Sequence, residues 1–171
     1  MSHYDYENDP VMLERGIDNI GYMIKILNEN LVNLIGDQMK DFQLTAAQWH
    51  PIVIIGLGKG NTPAELARII EVDTGAMTRM IDRLERKDFL YRRRCEKDRR
   101  VVQLYLTEKG KKVTDKLLPA VSNALNSMLK GISHEEFKLF QSLLVRMVLN
   151  LRPDLMEMLQ ADSDYPPTRS A

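Results

Sequence analysis

The chain has 171 residues, 24 basic and 24 acidic, for a formal net charge of zero, with 44% hydrophobic and 28% charged side chains. That balance excludes a disordered chain, a collagen-like repeat and a disulfide scaffold, and the length suits one domain or a small reading module with an arm for pairing. A single cysteine forms no internal bridge, no apolar run approaches the roughly 18–20 residues of a membrane span, and the acidic, polar start MSHYDYENDP does not read as a secretory signal. The expectation is a cytoplasmic protein with no membrane association.

The zero is dipolar. Residues 1–42 hold eight acids and three bases, whereas residues 73–112 hold thirteen bases and seven acids. A compact basic region between acidic flanks fits a phosphate-binding surface, and equally a solvated face with scattered Lys and Arg.

Residues 1–10 read as a loose arm ending at Pro10. Then Leu13, Ile17, Ile20, Ile24, Leu27, Leu31 and Leu34 recur at steps of four and three, which predicts one long helix with a narrow, heptad-like stripe. Such a helix in a small protein leans on a second subunit. Thr45-Ala-Ala-Gln48 has the form of a capping box and predicts a new helix from Thr45, with Pro51 in its early turn and Gly56, Gly58 and Gly60 ending it. Thr62-Pro63-Ala64-Glu65 is a second box with proline at the first helical position, opening a short helix that turns Leu66, Ile69 and Ile70 inward.

Val72-Asp73-Thr74-Gly75 then caps a helix running to about Lys87, with Met77, Met80, Ile81 and Leu84 on its apolar side. From Phe89 the period shortens to two. Phe89–Cys95 and Val101–Leu106 read as strands joined by the charged tip Glu96-Lys97-Asp98-Arg99-Arg100. Thr107 caps a further helix, which Pro119 should kink and Gly131 should end. Ser133-His134-Glu135-Glu136 is a third capping box, and the last helix carries Phe137, Phe140, Leu144, Met147 and Leu151 before Pro153 breaks the pattern. Residues 162–171 read as a flexible tail.

Three helices followed by a hairpin form a helix-turn-helix with a β wing. The second helix of such a pair enters the major groove, about 12 Å wide. Its first residues must be small or polar so that the backbone can approach phosphate and base edges, and its N-terminus adds partial positive charge. Thr74, Gly75, Ala76, Thr78 and Arg79 meet that need.

The stretch DTGAMTRMIDRLERKDFLYRRRCEKDRRVVQLYLTEKG resembles the core of the MarR family of bacterial winged-helix regulators. TRMIDRLE, the DRR of the wing and the exit LTEKG carry the likeness, which spans roughly residues 12–152. The family usually has glycine before the first wing strand where this chain has Asp88, and Asp tolerates left-handed geometry. The resemblance implies a mainly α fold, with a two- or three-stranded wing and an all-α dimerisation layer from the N- and C-terminal helices. Residues 1–42 would be arm and dimerisation helix, 43–112 the DNA-binding region and 113–161 the C-terminal dimerisation helices. It further implies a homodimer bound to a double-stranded, pseudo-palindromic operator, most often as a repressor released by a small lipophilic or aromatic-acid effector. Arg100 would enter the minor groove with Asp98 orienting it, and Arg99 would contact phosphate nearby.

The implied effector pocket lies between the dimer helices and the reading head, and the residues here that would line it are Asn28, Asn30, Trp49, His50 and Arg92. Each has a plainer reading: solvent exposure for the two asparagines, core packing for Trp49, a structural role for His50, and pairing with an acid for Arg92. Cys95 ends a wing strand next to Arg94 and Lys97, so a thiol-based redox response is an alternative to a passive role. No cofactor or metal is expected, since His3, His50 and His134 are scattered. Nor is enzymatic activity: Gly56-Leu57-Gly58-Lys59-Gly60 lacks phosphate-loop spacing, and no H-E-x-x-H occurs. A winged-helix module for protein contacts alone remains the rival class, separable by salt-dependent duplex binding.

Overall fold

The computed structural model describes residues 19–96 and 98–156. The expected arm, Leu13 and Ile17 of the first stripe, Lys97 of the wing tip and the tail at 162–171 lie outside them. The element order is α1 Ile20–Lys40, α2 Trp49–Gly56, α3 Pro63–Ile70, α4 Thr74–Arg86, β1 Leu90–Arg94, β2 Val102–Leu106, α5 Glu108–Met128 and α6 His134–Leu151. The chain divides into one compact unit ending at Met128 and a second beginning at Leu129.

In the first unit, α1 starts where the Asn19 side chain accepts the Tyr22 amide at 2.9 Å. Its apolar stripe stays open: Ile20, Ile24 and Leu27 are exposed, and only Met39 at the far end is buried. The next helix begins later than the Thr45 box predicts. Gln48 Oε1 does accept the Thr45 amide at 3.2 Å, but residues 46–48 form a turn and α2 starts at Trp49. Gln48 is 4% exposed, and its amide oxygen also accepts Lys87 Nζ at 2.9 Å from 39 residues away. That distant partner turns half of a capping box into a tertiary tie. Pro51 sits in the first turn of α2, where a missing N–H costs little, and Pro51–Ile54 are buried.

Both halves of the Thr62–Glu65 capping box form, and α3 ends at Glu71 in left-handed conformation. Asp73 accepts the Ala76 amide at 2.8 Å and starts α4. One side of α4 buries Met77, Ile81 and Leu84; Thr74, Thr78, Arg79, Arg83 and Arg86 face out. With Ile52, Leu66, Phe89, Leu104 and Leu117, those three make one continuous core.

The wing has two strands, antiparallel, with Leu90 opposite Leu106, Arg92 opposite Leu104 and Arg94 opposite Val102. The segment before α3 contributes one bond, from the Leu104 amide to Asn61 O at 2.7 Å, short of a third strand. Asp88 takes φ 61° at the turn into β1, the left-handed geometry that glycine would supply there. Thr107 closes this corner: its hydroxyl donates to Asp88 O at 2.6 Å and accepts the Gly110 amide at 3.1 Å. A Cβ on Gly110 would lie 2.0 Å from Phe89 O, so only glycine lets α5 start this close to the wing. The helix then continues through Pro119.

In the second unit the Ser133–Glu136 capping box forms on both sides and opens α6, which has no buried residue. Leu139, Phe140, Leu143, Met147 and Leu151 are exposed, and a single 3-10 turn at Pro153–Leu155 follows.

Candidate nucleic-acid interface

The start of α4 offers a small, polar approach. Thr74 and Thr78 are exposed, and the Thr78 hydroxyl donates to Thr74 O at 2.8 Å. Gly75 keeps this end low. An ideal Cβ there would meet Arg79 Nη1 at 3.4 Å, so the guanidinium folds back over the helix start. Ala76 is half-buried and gives its amide to Asp73. Thr74, Gly75, Ala76, Thr78 and Arg79 therefore share the first turn and a half. Arg83 was not among the sequence-derived candidates, although it is exposed and lies four residues after Arg79, on the same helical face. That spacing was the available signal.

At the wing tip, Asp98 and Arg100 form a closed pair. The Arg100 amide donates to Asp98 Oδ1 at 3.0 Å, Nε to the same oxygen at 3.2 Å and Nη2 to Oδ2 at 3.5 Å. The backbone bond, followed by the guanidinium, holds the Asp98 carboxyl below its usual range. The Arg100 side chain is nevertheless 91% exposed: the acid fixes its root and leaves its end in solvent. Arg99 and Arg94 are exposed and make no ion pair among the described residues. Arg93 pairs with Glu96.

Arg92 is engaged elsewhere. Its guanidinium reaches Asp82 Oδ1 at 2.5 Å and also pairs with Glu85, while its amide donates to Glu85 Oε1 at 3.1 Å. Both acids lie on α4, so Arg92 ties the wing to that helix. The pairing reading accounts for it without a ligand.

Of the other four pocket candidates, two lie on α1 and two at the start of α2. Asn28 and Asn30 are exposed on α1, and Asn30 Nδ2 donates to Ile26 O within its own helix. Trp49 and His50 stack with ring centroids 4.6 Å apart. Burial, and secondarily the Lys59 charge, pushes the His50 pKa down, which favours the neutral ring.

Cys95 is half-buried, its amide bonded to Val101 O at 2.9 Å. No three metal-ligating side chains converge among the described residues, and among them no helix is long and apolar enough to cross a membrane.

A family model described as the MarR family matches residues 44–102. The multiple antibiotic resistance protein MarR of Escherichia coli strain K12 is 29% identical over 130 residues, 75% of this chain and 90% of that protein. A crystal structure of the transcriptional regulator SlyA is similar at TM-score 0.72 and 28% identity, over 80% of this chain and 96% of that one. A mutant MarR of Escherichia coli complexed with operator DNA is similar at TM-score 0.68 and 27% identity, over 77% and 95% of the two chains.

Proposed function

The chain belongs to the MarR family of DNA-binding transcription regulators, which are not enzymes, and from that premise we propose that it acts as a homodimer on a pseudo-palindromic operator. In this reading α4 lies in the major groove. Thr74, Gly75, Ala76, Thr78 and Arg79 face bases and phosphates, while Arg100 enters the flanking minor groove and Arg99 meets the backbone. The observation that carries it is the Asp98–Arg100 pair. An exposed arginine held at its root by an acid two residues away suits a narrow groove of negative potential, and a solvated hairpin has no need of it. The relative complexed with operator DNA supports the same partner here.

A second copy supplies the cover that the open stripes of α1 and α6 call for, and a two-fold pair of reading helices about 34–36 Å apart, or a multiple of that, sets the operator's half-site spacing. The regulator is a repressor that leaves DNA when a small lipophilic or aromatic acid binds. The ligand need only favour the non-binding state by a few kcal/mol.

Arg100→Ala tests the DNA reading. In a titration at fixed salt the variant binds operator about tenfold more weakly, and its slope of log affinity against log salt falls by about two, one for each wing of the dimer. Its circular dichroism and sedimentation match the parent. Equal affinity at equal salt contradicts the proposal.

A further inference from the structure

Lys87 closes α4, and its side chain serves other elements. The amide donates to Arg83 O at 3.1 Å within the helix, but the ammonium turns away from it. Nζ donates to Gln43 O at 2.6 Å and to Gln48 Oε1 at 2.9 Å, 44 and 39 residues earlier in the chain. One acceptor lies just after α1 and the other just before α2. A single half-buried side chain thus joins the end of α4 to the end of α1.

Both acceptors are held in place. Gln43 takes φ 59°, and the Leu44 amide on the far side of its peptide bonds back to Met39 O at 3.0 Å, which orients the Gln43 carbonyl. Gln48 is 4% exposed, and its Oε1 takes the Thr45 amide at 3.2 Å as well as the ammonium. The main chain of residue 87 is held too, because Lys109 of α5 donates to Lys87 O at 2.8 Å. The helix has its own anchorage besides: Met77, Ile81 and Leu84 are fully buried in the core. A helix that pivots on its buried face moves most at its ends, and the tie sits at one of them.

We propose that Lys87, acting with Gln48, is a positioning residue for DNA binding: it fixes the angle of α4 to α1 and thereby the half-site spacing that the protein accepts, without touching DNA itself. The proposal rests on the reading that the chain binds a pseudo-palindrome as a dimer held partly through α1. In that complex each α4 is placed relative to its twin by way of α1, so play at residue 87 becomes play in the distance between the two half-sites. One base pair added at the operator's centre moves a half-site about 3.4 Å along the axis and about a tenth of a turn around it. A stiff tie penalises that shift, and a loose one accommodates it. A phosphate contact at Lys87 would act on the salt dependence instead, and a merely structural role would weaken binding at every spacing alike.

The test uses the full chain and a duplex that it selects from random sequence, with two derivatives that have one base pair added or removed at the centre. Lys87→Met keeps the stem and removes the donors, whereas Lys87→Arg keeps donors at the end of a long stem. In titrations at fixed salt the parent binds the selected spacing about tenfold or more tighter than either derivative. Lys87→Met narrows that preference to about threefold or less and keeps the parent's slope of log affinity against log salt, and Lys87→Arg restores the preference. Thermal unfolding and sedimentation establish that Lys87→Met is folded and dimeric; Gln48→Met, which removes the other end of the tie, narrows the preference in the same way and decides the matter if Lys87→Met does not fold. Equal weakening at all three spacings overturns the proposal and leaves the operator reading standing, and so does a parent indifferent to spacing. A salt slope lower by about two makes Lys87 a phosphate contact, one in each subunit, and overturns it as well. A parent that selects no duplex, or one without a two-fold repeat, removes the operator reading and the proposal with it.

Discussion

At the scale of single residues, charge placement and burial decide which side chains are available for function. Arg92 and Arg100 are the same residue type on one hairpin, yet Arg92 is engaged by two acids of α4 and Arg100 by one acid that leaves its end free. Sequence spacing placed both on the wing but could not show the partners, because Asp82 and Glu85 lie ten and seven residues away on another element. The Asp98–Arg100 pairing was an implication of the family resemblance, and its hydrogen bonds form between residues two apart. His50 gives a pH prediction. Its folded pKa lies below the unfolded value of about 6.5, so the unfolded chain binds the extra proton first. The contribution is complete above that value, is lost as pH falls through it, and stops changing below the folded pKa. Thermal denaturation between pH 7 and pH 5 should thus show a smaller loss of stability in His50→Gln than in the parent. Parallel curves would contradict it.

At the scale of elements, order and type were readable throughout, since most boundaries have a local chemical cause. Thr62 with Glu65, Asp73 with the Ala76 amide and Ser133 with Glu136 all act within three residues, and the structure forms each one. The late start of α2 was not readable, because Gln48 answers to Lys87 across the fold. Gly110 lay in plain view in LTEKG, but its reason is the backbone of Phe89, 21 residues earlier. Gly110→Ala puts a methyl 2.0 Å from that carbonyl oxygen, a contact only backbone movement relieves. It should cost about 3 kcal/mol, the upper part of the range for overpacking, seen as a lower midpoint in urea with unchanged slope.

For the whole molecule, the exposed apolar stripes are the largest unexplained feature of a single copy. Ile20, Ile24 and Leu27 on α1, and Leu139, Phe140, Leu143 and Leu151 on α6, stand in solvent where full burial would stabilise by about 1.5–3 kcal/mol for each large side chain. The heptad spacing placed Ile20, Ile24, Leu27, Phe140 and Leu151 in these stripes, whereas Leu139 and Leu143 fall outside that spacing and its members Phe137 and Leu144 are half-buried. Leu27→Asp or Phe140→Asp places a charge in the proposed dimer layer. Sedimentation should then show monomers at micromolar concentrations where the parent is a dimer, together with loss of operator binding, while circular dichroism of the helices is kept. A variant that remains dimeric with full operator affinity would remove that stripe from the dimer layer.

The grip of Arg92 on two successive turns of α4 has a mechanical result. Hairpin and α4 are joined through this one side chain, so a tilt of either strains the ion pairs between them. In the proposed operator complex, the base edges under the helix and the flanking step under the wing then keep a constant phase along the duplex. A nucleotide inserted between those two contacts would mis-seat one of them, whereas extra length at the operator's centre would be felt by the joint between the two subunits.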